Sequence, residues 1–177
     1  MIARALRRLL RPPAACIVVA VPAAEPAADV AGYDDPGMPP HVTVLWPFVR
    51  RVRGRDTAAL ARIAAEHDPF EFRLTAVREF PGGVTYLAPE PAERFVALTR
   101  AVVARWPHLQ PYGGEFEDVI PHVTVRAGSP VDAEARARLE ALLPITATAA
   151  QLAVLVPRRG RWRLAYTVPL GRVASSA

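Results

Sequence analysis

The chain contains the stretch Pro40-His41-Val42-Thr43-Val44 and repeats it, residue for residue, as Pro121-His122-Val123-Thr124-Val125. It has four histidines in 177 residues, and two of them lie in these copies. A chance repeat built on so rare a titratable side chain is improbable. The repeat therefore predicts two matched halves, each contributing one imidazole and one hydroxyl to a shared site.

A strand conformation would give this pentapeptide two chemically different faces. Side chains alternate along a strand, so His41 and Thr43 would share one face, about 7 Å apart. Val42 and Val44 would share the other face, which suits a buried core, and the second copy repeats the pattern. We therefore expect each copy to form part of the floor of a cleft.

Two imidazoles in one cleft can supply both partners of general acid–base catalysis. Imidazole titrates at about pH 6.5, so one ring can be neutral while the other is protonated. One ring then accepts a proton and the other donates one, while threonine hydroxyls donate to phosphate oxygens. A single His-x-Thr tripeptide would more often be structural, but two identical copies reverse that balance.

The remaining patterns predict an α+β chain in which a helix follows each copy of the pentapeptide. Alternating or β-branched runs predict strands at residues 16–21, 41–48, 70–77, 84–88, 121–126, 146–156 and 162–168. Apolar residues at helical spacing predict helices at 56–66, 91–106 and 132–143. The Pro-, Ala-, Gly- and Asp-rich stretch 23–39 is predicted to be a loop.

The length of 177 residues and an apolar fraction of 51% suit one domain with a packed core. We predict a bilobal domain at 16–173, a basic segment at 1–15 and a short tail at 174–177. The basic segment and the apolar run after it superficially resemble a secretory signal, but that run is short and β-branched, which favours a buried strand. The single cysteine cannot form an internal disulfide. A cytoplasmic monomer is expected, with no membrane span, metal or cofactor.

The positive charge of the chain comes from one type of residue. The net charge is +5, and every basic residue is an arginine. Guanidinium presents a planar fork that fits phosphate oxygens, so the composition suits a phosphate-bearing ligand. Charge alone is weak evidence for nucleic acid.

The paired motifs, about eighty residues apart, resemble those of the 2H phosphoesterase superfamily, in its bacterial 2′-5′ RNA ligase-like and cyclic phosphodiesterase branch. The stretches 39–48, 80–89 and 111–125 carry the likeness, which covers residues 16–170. The resemblance implies a bilobal, duplicated α+β fold with two mostly antiparallel sheets around a central cleft and helices on the outside.

The resemblance also implies metal-independent, cofactor-free hydrolysis of a 2′,3′-cyclic phosphate or a 2′-5′ linkage in RNA or nucleotides, with ligation as the reverse reaction. His41 and His122 would be the acid–base pair, and Thr43 and Thr124 the phosphate ligands. Which histidine is the acid stays open.

Further candidates for substrate contact follow from residue type and place in the sequence; they are Trp46, Tyr86, Tyr112, Arg126 and Arg158. Core packing is the commoner role for such aromatic residues. Two other interpretations of the whole chain remain open. The cleft could bind RNA or a nucleotide without turnover, or the histidines and threonines could merely satisfy one another between two lobes.

Overall fold

The computed structural model describes residues 14–115 and 118–172. The strands are β1 (Cys16–Ala20), β2 (His41–Leu45), β3 (Phe70–Phe80), β4 (Val84–Glu90), β5 (Val123–Arg126), β6 (Ile145–Ala149), β7 (Gln151–Arg158) and β8 (Arg161–Pro169). The α-helices are α1 (Glu25–Ala31), α2 (Gly54–Ala64), α3 (Glu93–Arg105) and α4 (Ala133–Ala141). Short 3₁₀ segments lie at Pro22–Ala24 and Pro111–Gly114.

All of these strands belong to one antiparallel sheet in the order β6-β3-β4-β5-β2-β1-β7-β8. Its two four-stranded halves meet where β5 pairs with β2, and each half carries one copy of the pentapeptide. The α+β class, the antiparallel pairing and the duplication are confirmed. The structure differs from the prediction of two sheets in one respect: the two halves are joined edge to edge into a single sheet.

The valines of both copies lie in the larger apolar core. Val42 and Val123 have no exposed surface, and Val44 and Val125 are also buried. That core includes side chains from all four α-helices, such as Ala27, Leu60, Phe95 and Leu139. The predicted alternation along the motif strands is confirmed, since the histidines and threonines between the valines are more exposed than the valines on the opposite face.

The stretch predicted as a loop at 23–39 contains α1, so that part of the prediction is wrong. Ala27, Ala28 and Ala31 are buried, which packs one face of this helix against the core. Pro26 lies in the first turn, where its missing N–H leaves no intrahelical bond unmade. Proline and glycine content indicated a loop, whereas the small alanines allow a close-packed helix.

The single strand predicted at 146–156 is two strands, divided at Ala150. β6 pairs with β3 in one half, while β7 pairs with β1 and β8 in the other. The chain therefore crosses between the halves at a point where the sequence has neither glycine nor proline. The predicted basic segment and tail lie outside the described residues, apart from residues 14 and 15, and the domain bounds stay a prediction.

Gly37 provides a test of how the loop before β2 packs on the β7–β8 hairpin. Its φ is +80°, and an added Cβ would overlap the carbonyl oxygen of Trp162. We expect Gly37→Ala to lower the free energy of unfolding by about 2–4 kcal/mol, through overlap and backbone strain together.

Gly160→Ala is the matched control, because Gly160 has a φ of +73° and open space around its Cα. Strain alone should cost about 1 kcal/mol there. Urea denaturation followed by circular dichroism measures both changes. Equal losses in the two variants would contradict the packing of Gly37 on Trp162.

Candidate active site

The pairing of β2 with β5 brings the two copies of the motif together. Val42 is the antiparallel partner of Val123. This register sets His41 across from Thr124, and Thr43 across from His122, on the sheet face opposite the valines. We call these four residues the His–Thr cluster. The two histidines occupy opposite corners of it.

The same hydrogen bond holds both imidazoles. Nδ1 of His41 lies 2.8 Å from the carbonyl oxygen of Pro39, and Nδ1 of His122 lies 2.7 Å from that of Ile120. A carbonyl oxygen only accepts, so each Nδ1 carries the proton. Nε2 is then the nitrogen of each ring that can gain or lose a proton.

Burial keeps both rings neutral near pH 7 in the free protein. Burial, with a smaller contribution from the nearby His122, lowers the pKa of His41 to about 4, although the hydrogen bond to Pro39 opposes this change. Burial also lowers the pKa of His122, again opposed by its backbone hydrogen bond. An anion between the rings would raise both pKa values, because it favours the charged forms.

Three aromatic rings surround His122. The centroid of Phe80 lies 4.9 Å from that of His122, and the centroid of Tyr86 lies 5.5 Å away, both rings being steeply inclined to the imidazole. Tyr112 lies nearly parallel to it at 6.2 Å. Tyr86 is also the strand partner of Thr124. The structure thus brings the predicted candidates Tyr86 and Tyr112 to the cluster, together with Phe80, which the sequence did not single out.

Tyr112 connects the two copies of the motif. Its hydroxyl hydrogen-bonds the side chain of Thr43, while its ring stacks on His122. Burial raises the pKa of this phenol to about 12, so the hydroxyl stays neutral. Its backbone has a φ of +53° and donates to the carbonyl oxygen of Trp46 at 2.6 Å. A non-glycine residue in this conformation is uncommon and is often found at functional sites.

The two arginine candidates are placed elsewhere. Arg126 donates to the carbonyl oxygen of Ala31 at 3.0 Å, at the C-terminal end of α1, where the helix dipole favours a cation. The pairing register of β4 with β5 shifts between Thr85 and Tyr86, so that Tyr86 pairs with Thr124 and the preceding residue, Thr85, pairs with Arg126. Arg158 is exposed at the end of β7 and pairs with Arg161 across the hairpin.

A groove beside His122 contains charged residues that the sequence did not single out. It has a volume of about 750 Å³, and its lining includes Arg73, Arg78 and Glu90. Strand alternation predicts that Arg73 is exposed, but not that the β3–β4 hairpin lies beside the second motif, because the pairing of β4 with β5 is long-range.

Neither a metal site nor a membrane span is found in the part of the chain that the structure describes. Among residues 14–115 and 118–172, no three His, Cys, Asp or Glu side chains are grouped so as to hold a metal ion. No described helix is long and apolar enough to cross a bilayer. Cys16 is buried, and burial raises the pKa of its thiol.

Comparison with known proteins gives the family. A model of the family described as the 2′-5′ RNA ligase superfamily matches residues 18–161, a range that includes both copies of the pentapeptide. The chain belongs to the 2′-5′ RNA ligase superfamily. The resemblance to the 2H phosphoesterases is thereby confirmed.

Solved structures share this superfamily fold at low sequence identity. E. coli LigT complexed with 3′-AMP is 15% identical, with a TM-score of 0.57 over 92% of this chain and 100% of LigT. LigT complexed with NADP+ is 16% identical, with a TM-score of 0.58 over 92% and 99%. TT0787 of Thermus thermophilus is 19% identical, with a TM-score of 0.59 over 90% and 99%. No curated protein matches the sequence.

The environment of His41 predicts an unusual titration. Its ring should become protonated only near pH 4, and inorganic phosphate should move this midpoint upward, because an anion in the cluster favours imidazolium. NMR of labelled histidine rings measures the midpoint, and the spectrum of His41→Gln assigns the resonance. A midpoint of about 6.5 in phosphate-free buffer, the value of a solvated imidazole, would contradict the burial of His41.

Proposed function

We propose that this member of the superfamily is a phosphoesterase that hydrolyses a 2′,3′-cyclic phosphate or a 2′-5′ phosphodiester linkage in a nucleotide or RNA. The observation that carries the proposal is the His–Thr cluster, with both Nδ1 atoms held by backbone carbonyls. LigT, which shares the fold, forms complexes with 3′-AMP, NADP+ and phosphate. These ligands carry the phosphate groups that such a cluster suits.

The cluster supports in-line displacement at phosphorus. Thr43 and Thr124 can donate to the non-bridging oxygens and hold phosphorus between the two rings. Because the histidines occupy opposite corners, one imidazole faces the attacking oxygen and the other faces the leaving oxygen. In-line transfer requires these two oxygens on opposite sides of phosphorus.

The difference in surroundings favours His41 as base and His122 as acid. Burial lowers the pKa of His41 to about 4, which keeps its Nε2 unprotonated. The π systems around His122 favour a cation, as does the bound phosphate.

At a 2′,3′-cyclic phosphate, water is the nucleophile and ribose O3′ is the leaving group. His41 Nε2 accepts a proton from water as the water oxygen bonds to phosphorus. The bond from phosphorus to ribose O3′ breaks, and His122 Nε2–H donates its proton to O3′. The product is a 2′-phosphate, and a proton passing from His41 to His122 through solvent restores the starting state.

The first test uses histidine variants. His41→Gln and His122→Gln should each lower kcat on nucleoside 2′,3′-cyclic phosphates by about 10²–10⁴-fold, the usual contribution of a general acid or base. His108→Gln is the matched control, because His108 is exposed in the loop after α3. Wild-type turnover should persist in EDTA.

The outcomes of this test separate the alternatives. Equal turnover by the wild type and by His41→Gln/His122→Gln would exclude the proposed roles. Tight binding of phosphorylated ligands with no turnover of cyclic phosphates or 2′-5′-linked RNA would support a binding module instead.

The pH dependence gives a second test. His41 must be neutral, so kcat/KM should fall below about pH 4, the pKa of this histidine in the free protein. His122 must be protonated, and burial lowers its pKa below that of an ordinary imidazole, so kcat/KM should already be falling before the pH rises to about 6.5. The maximum should therefore be acidic. The kcat profile should lie at higher pH than that of kcat/KM, because bound phosphate raises both pKa values. A kcat/KM maximum above about pH 7.5 would contradict this assignment.

A further inference from the structure

The groove beside His122 adjoins the His–Thr cluster at Tyr86, which lines the groove and contacts the His122 ring. The floor of this groove is β4 and β3, and Ile120 and Pro121 form the wall next to His122. Tyr86 connects the two regions, because it pairs with Thr124 on one side and with Arg78 on the other. Thr124 and Arg78 are thus two strands apart, about 10 Å at the usual spacing. Arg73 and Glu90 lie about 13 Å or more farther along these strands. Their long side chains can reach back toward the cluster and meet the base of a nucleoside whose phosphate is held there.

The corresponding face of the other half is filled by the protein's own side chains. Cys16, Val18, Met38, Ala153 and Leu155 form a second apolar cluster there, against which Trp46 and Trp162 pack. The loop before β2 holds Trp162 in place, since its backbone N–H donates to the carbonyl oxygen of Pro36 at 2.8 Å. The duplicated motifs therefore lie between one open side and one filled side, and the body of a substrate fits the open side.

The groove carries charges of both signs. Arg73 and Glu90 are strand partners on β3 and β4, and Arg78 lies nearer the cluster. Within the described ranges, neither Arg73 nor Arg78 forms an ion pair with a carboxylate. Glu71 and Glu93 also line the groove. These carboxylates would repel a chain of phosphates. A nucleobase edge has both hydrogen-bond donors and acceptors, which match the glutamates and the arginines.

We propose that this groove binds the nucleoside of the substrate and selects guanine, an inference that rests on the proposed function. Guanine O6 and N7 accept two hydrogen bonds from one guanidinium, the role available to Arg73. The N1–H and N2–H₂ groups of guanine donate to a carboxylate, the role available to Glu90. Ile120, which is 50% exposed, offers apolar surface to the face of the base. Arg78 lies on the path from the base to the phosphate.

The test compares the four common nucleoside 2′,3′-cyclic phosphates. Wild-type kcat/KM should be about 10-fold or more higher for the guanosine compound, the discrimination expected of one bidentate contact. Arg73→Ala and Glu90→Gln should each remove most of this preference, mainly by raising KM for guanosine. Turnover of the uridine compound should fall much less. The control is Arg100→Ala, on the exposed side of α3 and outside the groove.

The outcomes separate this inference from the proposed function. Hydrolysis of all four compounds with equal kcat/KM would overturn the guanine subsite and leave the phosphoesterase standing. If none is hydrolysed, calorimetry with guanosine 3′-monophosphate and cytidine 3′-monophosphate still tests the groove. Tighter binding of the guanosine compound, lost in Arg73→Ala and Glu90→Gln but kept in Arg100→Ala, supports the inference. Equal or undetectable binding of both overturns it.

Discussion

The backbone pairing of Val42 with Val123 is the contact on which the architecture depends. It joins the two halves of the sheet, and both valines are fully buried. Because side chains alternate with a period of two, a slip of one residue would turn a histidine and a threonine into the core. The burial that stabilises the seam between the halves therefore also fixes the relative positions of the two imidazoles.

The proline of each pentapeptide also helps to orient the carbonyl oxygen that holds the following imidazole. Each imidazole bonds the carbonyl oxygen two residues before it, at Pro39 or Ile120, and a proline lies between. A residue that precedes proline is restricted to extended conformations, which limits the directions its carbonyl can take. The backbone itself thus sets the tautomer of each ring, and no carboxylate is needed for that purpose. The shared geometry of the two bonds gives both rings the same protonated nitrogen, while their differing surroundings separate their affinities for a proton.

Much of the fold and of the cluster could be predicted because the signals are local. A two-residue period places valine and histidine on opposite faces wherever the strand lies, and the duplication indicates that the two faces meet. Which strands are neighbours could not be predicted in this way, because strand pairing joins residues that are distant in the sequence. The division at Ala150 has no sequence marker, and Tyr112 reaches Thr43 and His122 only through the folded chain. Arg126 lies two residues after Thr124 on the same strand, yet its guanidinium is held by the end of α1.

The chain order of the two halves has a consequence for biosynthesis. The half that carries His122 is built from consecutive strands, β3 to β6, whereas the half that carries His41 takes β1 and β2 from early in the chain and β7 and β8 from late in it. During translation β1 keeps an unpaired edge until β7 leaves the ribosome, and an unpaired edge invites pairing with other chains. The half begun first is therefore the half finished last, and the nascent chain must protect that edge for most of its synthesis.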